Sequence, residues 1–265
     1  MSGFVLERSE FLVLMDAVEA GGVIGLDDTR IVPDDDSQHR ALIEKGLRLL
    51  KERGALREVD DVNILDIDLL SMALLVANPE IAVMTTRDNP GLGQQLFLHY
   101  VADEVVVEQT LPTDHEHRWA LVPGRVALVE RILGILPVKE EAARLQPVCR
   151  MLPEEFLTAK RLIEIHEADQ ARAVLRQQGA ADDAIDRLAA AIASPEFGGQ
   201  VAVLRCERGE VVDGRNLAVV QGGGTAFLIK PVTVDEATLE ISECSLTPVR
   251  ALLTNWLAEL SARQN

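Results

Sequence analysis

Aromatic residues are scarce in this chain: Phe, Trp and Tyr make up 3% of its 265 residues. Stacking platforms for bases or sugars are therefore few. Cysteine is nearly absent too. Cys149, Cys206 and Cys244 are widely spaced, with no CxxC pair and no even disulfide framework, so reduced thiols in a cytoplasm are the expectation. No apolar run is long enough to span a bilayer. The start, MSGFVLERSEF, lacks the basic-then-apolar-then-cleavage pattern of a signal peptide. Basic residues are outnumbered, 26 against 43 acids, for a net charge of −17. Such a surface repels phosphate backbones and anionic lipid. The expected protein is cytoplasmic, binds no membrane and binds no nucleic acid.

Catalytic signatures are missing as well. There is no G-x-S-x-G and no Cys/His spacing that suggests a nucleophile and its base. His115-Glu116-His117 puts two imidazoles at i and i+2, but a zinc site needs a third protein ligand and a fixed second shell. Gly222-Gly223-Gly224 is followed by TAFLIK, a strand pattern rather than the helix that a phosphate loop requires, so it reads as a hairpin turn. Gly91–Gly93 takes the same reading and is expected in the corresponding place of the first half. Asp34–Asp36 and Asp182–Asp183 precede helices and suit their N-termini. The expectations are no enzyme activity, no cofactor and no metal. Convergence of His115 and His117 with a carboxylate would revive a metal enzyme.

What the chain does contain is a repeat. Leu69–Glu80 reads LLSMALLVANPE and Ile185–Glu196 reads IDRLAAAIASPE. Each is an apolar helical stretch ending in a small residue, Pro and Glu. Each leads to a β-like run, IAVM at Ile81–Met84 and VAVL at Val201–Leu204. Each unit closes with a helix, VALVERILGIL at Val126–Leu136 and RALLTNWLAEL at Arg250–Leu260. Gly54 and Gly179 stop matching helices. The order implies an internal duplication with a pseudo-two-fold relation, and strand runs between helix runs imply an α+β class. The half-domains divide as 1–146 and 147–265, packed as one unit.

Within the first half, helical periodicity covers Ser9–Ala20 and Gln38–Arg53, followed by a small hairpin over Ala55–Leu65 with Asp60–Asp61 near its turn. Ser37 is a candidate cap. Helix, helix, hairpin is the layout of a winged helix. Arg40, Lys45, Arg48, Lys51 and Arg53 on its second helix suit phosphate contacts, which makes a transcription regulator the alternative reading. Strands are expected at Ile81–Arg87, Gln95–Val101, Glu104–Gln109 and Trp119–Val122, with the polar Thr110–Arg118 segment projecting between the last two. In the second half, Glu154–Gln178 reads as a helix broken near His166–Asp169. Strands follow at Val201–Arg208, Asn216–Gln221, Ala226–Pro231 and Thr238–Ser242.

In order along the chain, EFLVLMDAV, ALIEKGLRLLKERGAL, LLSMALLVANPEIAVMTT, ADQARAVLRQQGA, IDRLAAAIASPEFGGQVAVLRC and NLAVVQGGGTAFLIKPV resemble the EspG family of type VII (ESX) secretion chaperones. The resemblance implies a central antiparallel sheet flanked by helical bundles. It implies a non-enzymatic protein that binds and solubilises a helical secretion substrate, in that family the tip of a PPE protein in a PE–PPE heterodimer. A loop projecting from the sheet and the C-terminal helices meet that substrate. By position the loop is Glu108–Arg118, which nominates Gln109, Asp114, His115, Glu116 and His117 as partner-binding residues, in a monomer or homodimer.

Overall fold

The computed structural model describes residues 3–27, 35–60, 62–91, 93–113, 115–136, 138, 145–232 and 238–262. The first half begins with β1 (Gly3–Glu7), α1 (Arg8–Ala17) and α2 (Asp36–Glu52), then a hairpin, β2 (Leu56–Val59) and β3 (Val62–Leu65). α3 (Ile67–Ala77) leads into β4 (Ile81–Asn89), β5 (Gly93–Ala102), β6 (Val105–Thr113) and β7 (Glu116–Val122), closed by α4 (Gly124–Ile135). The second half repeats the order without the hairpin. It runs β8 (Leu145–Met151), α5 (Pro153–Glu164), α6 (Ala168–Gln177), α7 (Asp182–Ala193), β9 (Phe197–Glu207), β10 (Glu210–Gly222), β11 (Thr225–Pro231), β12 (Leu239–Cys244) and α8 (Leu246–Ala262).

All strands but β2 and β3 join one ten-stranded antiparallel sheet, in the order β1-β7-β6-β5-β4-β9-β10-β11-β12-β8. The order reads as two copies of one half-sheet joined at β4 and β9. Laying Ile81–Met84 on Val201–Leu204 makes Val83 equivalent to Val203, and these two residues face each other in register. The pseudo-two-fold axis therefore passes through that pair.

The repeat extends to atomic detail. The residue before Pro has nearly the same backbone in both copies, φ −134° and ψ 64° at Asn78, φ −139° and ψ 70° at Ser194. The Glu after Pro donates its N–H to a carbonyl of the second strand of its own half, Glu80 to Val101 at 2.9 Å and Glu196 to Gln221 at 2.8 Å. Gly54 (φ +73°) and Gly179 (φ +81°) end α2 and α6. The next amide reaches back over the last turn in each, Ala55 to Leu50 and Ala180 to Leu175. This is the left-handed helix stop that glycine adopts most readily. Asp35, rather than Ser37, caps α2, accepting the amides of Ser37 and Gln38. Asp66 caps α3 in the same way.

Strand alternation sends side chains to two faces. On one, Ile81, Val83, Val201 and Val203 pack beneath α4 and α8 in a cluster with Leu128, Ile132, Leu253 and Trp256. On the other, each half has its own core. The first gathers Phe11, Leu14, Leu50, Leu69 and Tyr100, the second Ile163, Leu175, Leu188, Phe227 and Ile241.

Several expectations shift. β1 and β8, the two outer strands, were not anticipated. Gly91 lies in the β4–β5 turn and Gly93 opens β5, whereas Gly223–Gly224 turns β10 into β11, whose counterpart is Asp103–Glu104. Thr110–Arg118 is no projecting loop, because β6 runs on to Thr113 and β7 begins at Glu116.

α1 and α2 cross closely at Gly46, where an added Cβ would sit 2.1 Å from the Ser9 carbonyl oxygen. Gly134 in α4 has nothing within 4 Å of that position. Gly46→Ala is expected to lose about 1–3 kcal/mol through overpacking. Gly134→Ala is expected to gain about 0.5–1 kcal/mol by helix propensity. Urea unfolding of the two variants checks the contrast.

Candidate functional site

The residues nominated from sequence separate into inner and outer groups. Gln109 and His117 are buried, at 0% and 3% exposure. The Gln109 amide donates to His117 Nδ1 at 2.9 Å, and the Trp119 indole donates to Gln109 Oε1 at 3.1 Å. The His117 ring lies flat on Phe11, with centroids 3.9 Å apart. Both side chains are therefore committed to the first core, and a partner cannot reach them on the folded surface. His115 is exposed and Glu116 is partly so, at the tip of the β6–β7 hairpin, where Glu116 pairs with Arg118. Asp114 lies outside the described residues.

His115 and His117 are not brought to a common site. Among the described residues no group of three His, Cys, Asp or Glu side chains is placed to hold a metal. Three of the five bases suited to phosphate contacts are engaged within the protein. Lys45 meets Glu7 at 2.5 Å, Lys51 meets Glu58 at 2.5 Å, and Arg53 meets buried Glu10 at 3.2 Å. A phosphate backbone would have to displace these acids. On the opposite face Arg131 grips Glu108 with two bonds of 2.7 Å, and His99 adds a third at 3.0 Å. Burial works to raise the Glu108 carboxyl, but these partners outweigh it and bring it down to about 2.

An open groove lies elsewhere, on the face that carries the two separate cores. Phe156 and Leu157 of α5, Ala218 and Val220 of β10, Gln200 of β9 and Asp88 of β4 line a cavity of about 590 Å³. Leu157 is 62% exposed, an apolar side chain presented rather than hidden.

Internal symmetry explains why the groove is open. The N–H before each first helix is accepted by a Glu three residues on, Glu7 by Glu10 at 2.8 Å and Leu152 by Glu155 at 2.9 Å. Those caps superpose Glu10-Phe11-Leu12 on Glu155-Phe156-Leu157, the same three residues in both copies. The β5–β6 and β10–β11 turns superpose Leu98 on Ala218 and Tyr100 on Val220. In the first half Phe11, Leu12, Leu98 and Tyr100 are all buried. Val23–Leu26, in the described part of the α1–α2 connection, folds back over Leu98 and Tyr100: Gly25 packs against Leu98, and the Tyr100 hydroxyl donates to the Ile24 carbonyl at 3.0 Å. In the second half α5 turns straight into α6 at Ile165–Glu167, so nothing from that connection covers the equivalent floor, whose residues are also smaller. Sequence reading missed these residues, though the repeated EFL was visible.

The chain shares its fold with a solved type VII secretion chaperone. The similar structure is Mycobacterium tuberculosis EspG5 in complex with a PE25–PPE41 dimer, matched with a TM-score of 0.67 and 14% identity over 97% of this chain and 96% of that one. The expected α+β fold with a central antiparallel sheet and flanking helices is the fold observed. No family model matches the sequence, and no curated protein matches it. No helix among the described residues is long and apolar enough to cross a membrane.

Burial, with help from the Arg8 charge, lowers His117 to about 4, whereas an unfolded chain holds histidine near 6.5. Between those values the unfolded chain takes up the proton and the folded one does not. This contribution to stability is thus complete above about pH 6.5 and declines as pH falls, being lost by about pH 4. It amounts to roughly 3 kcal/mol. His117→Gln is expected to flatten urea-unfolding stability across that window, and an unchanged slope would remove His117 as its source.

Proposed function

We propose that the chain is a non-enzymatic, cytoplasmic EspG-like chaperone that covers the apolar end of a helical PE/PPE-like secretion substrate. The observation that carries this reading is the groove beside α5: an apolar floor and the exposed Leu157, left open in one half and filled by the chain itself in the other. The fold shared with EspG5 supports the same reading. The mechanism is burial. A partner's apolar surface replaces water over Phe156, Leu157, Ala218 and Val220, while polar groups at the rim, Asp88 and Gln94 among them, fix orientation. The β6–β7 tip lies at the same end of the sheet as the β4–β5 turn, since β4 and β6 run in the same direction. His115 and Glu116 are retained as partner contacts at that end of the sheet, outside the groove itself, and Gln109 and His117 are withdrawn.

Burying a leucine side chain stabilises an interface by about 1.5–3 kcal/mol. Leu157→Glu is accordingly expected to weaken partner capture at least tenfold, with the thermal midpoint unchanged because the residue is exposed. The measurement is affinity capture from the protein's own cytoplasm, followed by mass spectrometry. Capture of a helical, secretion-targeted protein that survives the substitution would overturn the groove as the site. Recovery of DNA, released by moderate salt, would favour the winged-helix regulator instead.

A further inference from the structure

The first half carries a template for what enters the groove of the second. Its α1–α2 connection lays Val23–Leu26 over the floor formed by Leu98 and Tyr100. The segment is a tight turn: the Leu26 amide donates to the Val23 carbonyl at 3.0 Å, and Gly25, its third residue, has φ +87°. That position of a type II turn demands a positive φ, which glycine supplies without a steric cost. The fit is close. A Cβ on Gly25 would meet Leu98 Cδ2 at 2.6 Å, Val23 is buried, and Ile24 and Leu26 pack against the first core.

The second half keeps the walls of this arrangement and omits the occupant. Phe156 stands for Phe11 and Leu157 for Leu12. The floor drops by the difference between Leu98 and Ala218 and between Tyr100 and Val220, so an incoming turn has more room than the internal one. The electrostatic setting is also one-sided. Among the described residues that line the groove, Lys160 is paired with Glu164 at 3.4 Å, which leaves the Asp88 carboxylate as the rim charge in a chain of net charge −17. A cationic approach is favoured and an acidic one opposed.

We infer that the groove takes an apolar, glycine-containing turn of a partner protein, flanked by basic residues, seated as Val23–Leu26 is seated in the first half. The inference rests on the proposed chaperone reading and specifies the shape and charge of what that site accepts. It predicts recognition of a turn rather than of a helix flank, with larger apolar side chains tolerated over Ala218 and Val220.

The test uses the full chain and the cyclic hexapeptide Val-Ile-Gly-Leu-Lys-Lys, whose closure preorganises the turn. Its twin carries Glu-Glu in place of Lys-Lys. Titrations are followed by heteronuclear NMR at low and at high salt. The expected result is saturable binding of the lysine peptide, with shifts confined to α5, β10 and the adjoining ends of β4 and β9. The glutamate peptide should bind at least fivefold more weakly at low salt, and added salt should narrow that gap. Val220→Tyr, which restores the first-half floor on which Val23–Leu26 is seated and the hydroxyl that binds its Ile24 carbonyl, should tighten the lysine peptide at least threefold, and its spectrum reports whether the fold is intact. Absence of binding, or equal or weaker binding by Val220→Tyr in its folded state, would overturn the inference. Failure here with Leu157-dependent partner capture intact would leave the chaperone site standing and remove only the turn. Loss of Leu157 dependence would remove the site itself.

Discussion

Everything in this molecule hangs on the pairing of β4 with β9. It is the seam between two half-sheets, and Val83 opposite Val203 marks its centre. The constraint is strict, because a one-residue slip would turn every buried side chain of the seam to the wrong face. With the register fixed, α4 and α8 meet over the axis and share one core with both halves. Their contact is reinforced by Arg250, which forks onto Glu130 at 2.8 and 3.2 Å. The other face cannot be shared in this way, since each half brings its own helices to it. The groove arises on that face, beside the seam.

The two halves have diverged in what they do with their polar residues. The first half buries His99 and Glu108 beneath α4, whose exposed Arg131 reaches down to the carboxylate, and a Gln109–His117–Trp119 chain beneath α1. The strand register places Val219, Leu228 and Ile229 of the second half at the positions of His99, Glu108 and Gln109. Buried polar groups need partners of matched geometry, and the first half supplies them. It also carries the added hairpin and the long α1–α2 connection. The elaborated half is closed and the plain half is open, which is the asymmetry that a single binding site on a two-fold scaffold requires.

Much of this was legible in the sequence. The Pro-Glu turns after α3 and α7 are local features, and proline and small residues announce them whatever the tertiary setting. The helix stops at Gly54 and Gly179 and the hairpin at Gly223–Gly224 were readable for the same reason. The outer strands were not. β1 is five residues long with one buried side chain, and β8 contains Pro147 and spans the expected boundary between the half-domains. The β6–β7 hairpin reads as a loop because Thr110–Arg118 is polar, and hydropathy does not mark Gln109, at the end of the expected strand, or His117 as buried. Their mutual hydrogen bond, which makes burial tolerable, joins residues on neighbouring strands. The groove was hidden for a further reason. It depends on whether one connection folds back over a sheet and another does not, and only the repeated Glu-Phe-Leu tripeptide hinted that the two places should be compared.

The antiparallel meander in each half has a bearing on how the chain is made. β4 to β7 pair with their sequence neighbours, and so do β9 to β12, so both sets form from contacts that are short along the chain. The seam is not local, and neither are the outer pairs β1–β7 and β12–β8. During synthesis β4 emerges with one edge satisfied by β5 and the other bare until β9 leaves the ribosome. An uncovered strand edge invites pairing with other chains. The first half therefore passes through a vulnerable interval that ends only when its own second copy arrives, and the duplication that doubles the scaffold also sets the length of that wait.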